Sequence, residues 1–194
     1  MSEFATSLRL SPIDSAAARA YLERHHDLGA GHPFALALGI FWRDVFEGVM
    51  TWGNPRTNNA VQAYGLHQRD AWELRKFWLS DVPPPMSEGR CLGVAVKLLR
   101  KRYPSLRLLL TYCGGDEDAS AYKGAGWIAQ EAYTYISEVR IGARWISLRE
   151  FNRRGGLSRV PHDETRTVYR RKWVYPLDEE MRQKLARLAK QARE

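Results

Sequence analysis

The chain has 194 residues, 44% of them hydrophobic and 27% charged, with 7 Trp, 9 Tyr and 6 Phe, a composition that excludes whole-chain disorder and fits one globular domain over residues 1–194. No apolar run reaches the roughly 18–20 residues of a membrane span, and Cys91 and Cys113 alone support neither a disulfide framework nor a zinc site; the expectation is a cytoplasmic protein with no membrane partner. The net charge of +8 is uneven: residues 1–100 carry 11 basic and 10 acidic side chains, residues 101–194 carry 19 and 12.

In chain order, Ser11-Pro12 followed by an alanine-rich stretch reads as an N-cap, a proline at the first helical position and a helix to about His26. A loop to His32 precedes Phe34–Trp42 and Val45–Trp52, two β-rich runs joined by Arg43-Asp44, the pattern of an antiparallel hairpin. Beyond a loop-rich stretch with Asn58 and Asn59, Ala71–Leu79 alternates as a strand, and Asp81–Gly89 with three prolines reads as irregular. From Arg90 the spacing of Leu92, Val96, Leu99 and Tyr103 predicts a helix that Pro104 stops. Leu106–Cys113 is continuously apolar, as in a strand buried on both faces. A turn, a short acidic helix over Glu117–Lys123, a strand Trp127–Ser137, a short strand Lys172–Tyr175 and a last helix Asp178–Arg193 complete the pattern. The fold class is α/β (α+β), with a βαβ-like core, a mixed, largely antiparallel sheet flanked by helices, and a basic C-terminal part.

Three groups of residues carry candidate chemistry. His25 and His32, with His26 and Asp27, are the only cluster with metal-ligand chemistry, although adjacent helical histidines diverge by about 100 degrees and solvated helix-end histidines explain them as well. Arg90-Cys91-Leu92-Gly93-Val94-Ala95 sits where a helix begins, so that free amides, a guanidinium and small residues invite a pyrophosphate. Between Arg140 and Lys172 ten basic residues face three acidic ones, interleaved with Trp145, Phe151, Tyr169 and Trp173, a composition suited to a polyanion or to a merely solvated face.

The spacing R-x-x-G-x-A resembles the acyl-CoA pyrophosphate loop of the GNAT acyltransferases, and Tyr122-Lys123-Gly124-Ala125-Gly126-Trp127 resembles that superfamily's Tyr-x-x-x-Gly-aromatic signature at the corresponding place. The resemblance implies a GNAT-like fold, acetyl-CoA or a related acyl donor at Arg90, Leu92, Gly93 and Ala95, and Tyr122 as the general acid for the departing thiolate. Glu73-Leu74-Arg75, Trp78-Leu79-Ser80-Asp81, Glu88-Gly89-Arg90, Tyr103-Pro104, Thr111-Tyr112 and Lys172-Trp173-Val174-Tyr175-Pro176-Leu177-Asp178 together are similar to the phage Mom proteins, over about residues 39–185. That likeness implies a DNA-modifying enzyme that places a carbamoylmethyl group on adenine N6, protects phage DNA from restriction and works in the host cytoplasm. DNA is then the partner, with Arg149, Arg153, Arg154, Arg159, Arg170 and Arg171 as candidate backbone contacts; a dimer and a metal requirement are left open.

The chain departs from the family pattern at Met86 and Gly89, and where the family reads Ser-Tyr-Ala-Asp it has Thr111-Tyr112-Cys113-Gly114. The general base is therefore open between Asp116, Glu117 or Asp118 just beyond and Glu73 on the strand that feeds the loop. Two other readings keep the same residues: an acyl-CoA-dependent N-acetyltransferase acting on the amine of an aminomethylated DNA base, a small molecule or a protein, and a basic DNA-binding protein on a degenerate acyltransferase scaffold.

Overall fold

A computed structural model describes residues 7–26, 29–31, 33–114, 119–142, 144–153 and 164–191. Ser11-Pro12 does not open a helix: β1 (Leu8–Pro12) pairs antiparallel with β2 (Leu36–Trp42) at the sheet edge, where a proline at the strand end is tolerated. The helix α1 (Ser15–His25) is capped instead by Asp14, whose Oδ2 accepts from Ala16 N at 2.7 Å and Ala17 N at 3.0 Å. A carboxylate nearer the alanine run outcompetes the serine as cap.

The predicted hairpin is present. Arg43 and Asp44 adopt φ of 48° and 64°, the primed turn whose twist matches that of β2 and β3 (Val45–Gly53). A short helix α2 (Asn59–Gln62) and a 3-10 turn at Gln68–Asp70 lead into β4 (Ala71–Leu79), antiparallel to β3. The helix α3 (Ser87–Arg102) is the crossover that lets β4 and β5 (Leu108–Gly114) run parallel. Then follow α4 (Ser120–Gly124), β6 (Ile128–Ile141), β7 (Arg144–Ser147), α5 (Leu148–Arg153), β8 (Thr165–Pro176) and α6 (Glu179–Gln191). The sheet order is β1-β2-β3-β4-β5-β8-β6-β7, with β4–β5 its parallel pair.

Two boundaries differ from expectation in ways that matter. The helix α3 starts at Ser87 rather than Arg90, because Ser87 anchors its first turn through N–H and Oγ–H bonds to Pro84 O at 3.2 and 2.6 Å. The basic C-terminal part is no appendage: β8 is 12 residues long and inserts between β5 and β6, pairing with β5 from Leu108↔Pro176 to Gly114↔Arg170.

Both faces of the sheet are covered. Trp52, Trp72, Leu74, Leu109 and Trp173 point toward Leu92, Val96 and Leu99 of α3. The alternate residues Leu108, Leu110 and Val174 pack on the opposite face with Val61, Met181 and Leu185, and Val49 and Ala37 with Ala18 and Leu22 of α1. This double coverage is why β5 reads as an unbroken apolar run.

Candidate active site

Strands β4 and β5 pair over only three positions, Ala71↔Leu108, Trp72↔Leu109 and Glu73↔Leu110. Beyond them the rest of β4 stays with β3 and the rest of β5 with β8, so the middle of the sheet opens into a wedge. A buried hydrogen bond from Thr111 Oγ1 to Leu74 O, 3.1 Å, closes its apex.

On the α3 face, the two sequence motifs meet. Arg90 N–H already donates to Met86 O at 3.2 Å, and Leu92 and Ala95 are fully buried in the core. The helix therefore begins one turn earlier than the motif implied, at Ser87, whose own N–H is taken up by Pro84 O. A side chain on Gly89 would start 3.4 Å from Ala121 O, which sets the first turn of α3 directly against α4 and Tyr122. Gly93 faces open space, with nothing within 4 Å of where a Cβ would stand. Tyr122 is half-buried, edge-on to Trp127 at 5.8 Å and stacked with Trp173 at 6.0 Å, while Trp127 stacks with Trp52 at 6.5 Å. Since Trp52 is in register with Leu74 and Trp173 with Thr111, this row of rings lies across the wedge apex. The indole N–H groups of Trp52 and Trp127 are buried and have no acceptor among the described residues, which suits a ligand that brings acceptor atoms.

On the other face stands Glu73, 6% exposed. Alternation with Trp72 and Leu74 turns it away from Tyr122, so the two sequence candidates flank one apex from opposite sides. Burial raises the Glu73 pKa, against the charges of Arg56, Arg75 and Lys172 and a backbone hydrogen bond from Arg56. Lys172 lies beside Tyr112 in the β5–β8 register, donates to Ala60 O and sits 4.5 Å from the Tyr64 ring centroid. Its pKa is lowered to about 8 by burial, opposed by the charge of Glu73; burial and the same carboxylate raise Tyr112. Tyr64 O–H donates to Gln130 Oε1 at 3.1 Å, and Arg75 is held by the carbonyls of Pro33 and Asn54. Nearby, Asn54, Asn58, His67, Gln68 and Arg69 line an open polar groove of ≈ 440 Å³. Sequence reading missed Arg56 and gave Tyr112 and Lys172 no site role, although both stand in the motifs that carry the family likeness.

Asp116, Glu117 and Asp118 lie outside the described residues, as do His32, Arg154 and Arg159, and so do the side chains of Arg149 and Arg153 on α5. His25 packs against Tyr21 at 4.4 Å and Trp78 at 4.8 Å. Cys91 is fully buried, its thiol pushed up to about 12 mainly by desolvation. Arg170 is bound at 2.9 Å to Glu138, a residue 2% exposed, which also holds Arg166 at 2.9 Å; Arg171 beside it is half-buried. Tyr135 and Tyr169 form an exposed pair, 4.8 Å apart, on the β6–β8 arm.

Comparison with known proteins places this geometry. The sequence model of the Mom protein family matches residues 7–192. The methylcarbamoylase mom of Escherichia phage Mu is 30% identical over 109 residues, a match that takes in 54% of this chain and 45% of the phage Mu protein. Among solved structures, yncA of Salmonella typhimurium, with its cofactor acetyl-CoA, superposes with a TM-score of 0.55 at 12% identity, covering 89% of this chain and 95% of that one. A GNAT family acetyltransferase of Elizabethkingia anophelis with acetyl-CoA bound gives 0.51 at 9% identity, covering 88% and 98%. At these identities the likeness establishes the fold: a GNAT acetyltransferase sheet.

Proposed function

This chain belongs to the Mom protein family, and from that premise we propose that it is a transferase that modifies DNA, adding a small acyl-derived, carbamoylmethyl-like group to an exocyclic base amine. Adenine N6 is the proposed target, and protection of the DNA from restriction in the host cytoplasm the proposed consequence. The observation that carries this reading is the wedge with a buried carboxylate on one face and a phenol on the other.

An acyl-CoA-type donor would supply, when bound, the carbon of the new C–N bond and a thiolate that leaves as the C–S bond breaks, and the amide nitrogen of a carbamoylmethyl-like group would have to come from a second, nitrogen-donating reactant. The N-terminal end of α3 suits its pyrophosphate through its dipole and the amides beyond Ser87, with Arg90 and Gly93 one turn on and Leu92 and Ala95 packing the helix behind them. Tyr122, bordering the apex on that face, donates its phenolic proton to the thiolate. The base enters from the other face, where Glu73 takes a proton from the attacking amine; burial raises the Glu73 pKa, which favours that role, and the charges of Arg56, Arg75 and Lys172 oppose the rise. The open groove lined by Asn54, Asn58, His67, Gln68 and Arg69 offers polar groups to the edge of a base taken out of its stack.

Release of thiol from acetyl-CoA, followed with and without duplex DNA, tests the chemistry. The expected result is DNA-dependent release that falls by about 10²- to 10⁴-fold in Glu73→Gln and in Tyr122→Phe. Release that ignores DNA, or that survives both substitutions, overturns the reading.

A further inference from the structure

The row of rings over the wedge apex contains two donors that no group among the described residues accepts from. Trp52 is fully buried and Trp127 is 4% exposed, yet neither indole N–H meets an acceptor among the described residues. Buried donors are nearly always paired, and an orphan marks a place where a partner belongs. Indole N–H only donates, so the partner is an acceptor atom. The two indoles stack on each other, and Trp127 also meets the rings of Tyr122 and Tyr175.

Their position narrows the ligand further. Trp52 stands in register with Leu74 and Trp173 with Thr111, the two residues tied together at the apex, and Trp127 bridges from Trp52 to Tyr122. The Trp127 ring is therefore a neighbour of the phenol assigned to the departing thiolate, with Trp52 stacked on Trp127. Resting on the donor reading above, we propose that Trp52 and Trp127 are specificity-determining residues that hold the donor by the carbonyl oxygen of the group to be transferred. They would distinguish a thioester, which brings that oxygen, from the free thiol, which does not, so that spent CoA leaves and charged donor stays.

Affinities of the whole protein for acetyl-CoA and for CoA, measured by titration calorimetry, test this without any need for turnover. The wild-type protein is expected to bind acetyl-CoA at least about tenfold more tightly than CoA, the size of one hydrogen bond to a buried donor. Trp127→Phe and Trp52→Phe, made singly, keep a ring and remove the N–H; each is expected to bring the ratio toward one while CoA affinity stays within about twofold. Melting temperature and CoA affinity show in each variant that the fold and the rest of the site are intact. A ratio near one in the wild type, a ratio unchanged in both variants, or an equal loss of affinity for both ligands overturns the proposal and leaves the donor reading standing. Failure of the wild type to bind either ligand overturns the donor reading itself, and the proposal with it.

Discussion

Glu73 carries a cost in the folded protein that its function would explain. Its pKa is raised chiefly by desolvation, so the native state holds the proton more tightly than the unfolded chain and stability declines as pH rises through the folded value. Glu73→Gln is therefore expected to melt higher than wild type above that value and level with it in acid, while losing transfer activity; melting curves across pH 4–9 check the sign. Lys172 shows the opposite sign. Lowered to about 8 from its ordinary value near 10.5, it leaves the native state with fewer bound protons than the unfolded chain over that window, so its contribution to stability rises with pH from about 8 to 10.5. Lys172→Met should flatten that rise. It should also push the Glu73 pKa further up, since Arg56 and Arg75 would remain as its positive neighbours, and move the acid limb of the pH–rate profile to higher pH. At this scale the sequence was partly legible: Glu73 stood out as a carboxylate in an apolar strand, but Arg56, Tyr112 and Lys172 come from three distant segments that only the fold unites.

Among the elements, the first turn of α3 sets the donor side. Gly89 lets α3 approach Ala121, and Gly93 has no neighbour that requires a glycine. Replacing a helix-interior glycine by alanine stabilises by about 0.5–1 kcal/mol. Gly93→Ala is thus expected to raise stability by about that much in denaturant unfolding while weakening acetyl-CoA binding, the combination that marks a glycine kept for a ligand; unchanged binding would leave it without that role. The hairpin, β4, β5 and the crossover helix were readable because their apolar periods and turn residues agree. Helix starts were not, since Asp14 caps α1 and Ser87 ties the first turn of α3 to Pro84 O, contacts that Ser11-Pro12 and Arg90 only mimic in sequence. Nor was the length of β6 and β8, whose outer halves carry arginine and threonine in place of an apolar alternation.

Across the whole molecule, the positive charge is less available than its count suggests. Glu138 binds both Arg166 and Arg170, so one of the six arginines read as backbone contacts is already neutralised inside the fold. Five phosphate contacts would give a slope of log affinity against log salt of about −4.5 on duplex DNA, at roughly −0.9 per contact. Binding measured between 50 and 200 mM salt on the order of that slope supports a contact region in the C-terminal half; a slope near zero removes it. The family and the fold both followed from short motifs in the right order, whereas the opposed placement of Tyr122 and Glu73 depended on strand register, which spacing alone does not encode.

The most direct measurement is mass spectrometry of nucleosides from the DNA of bacteria expressing this protein, beside its Tyr122→Phe and Glu73→Gln variants. A heavier nucleoside derived from deoxyadenosine, present with the wild-type chain and absent with both variants, is the predicted result. Unmodified DNA from cells with abundant folded wild-type protein, or an adduct formed equally by the variants, would contradict a base-modifying transferase that works across this wedge.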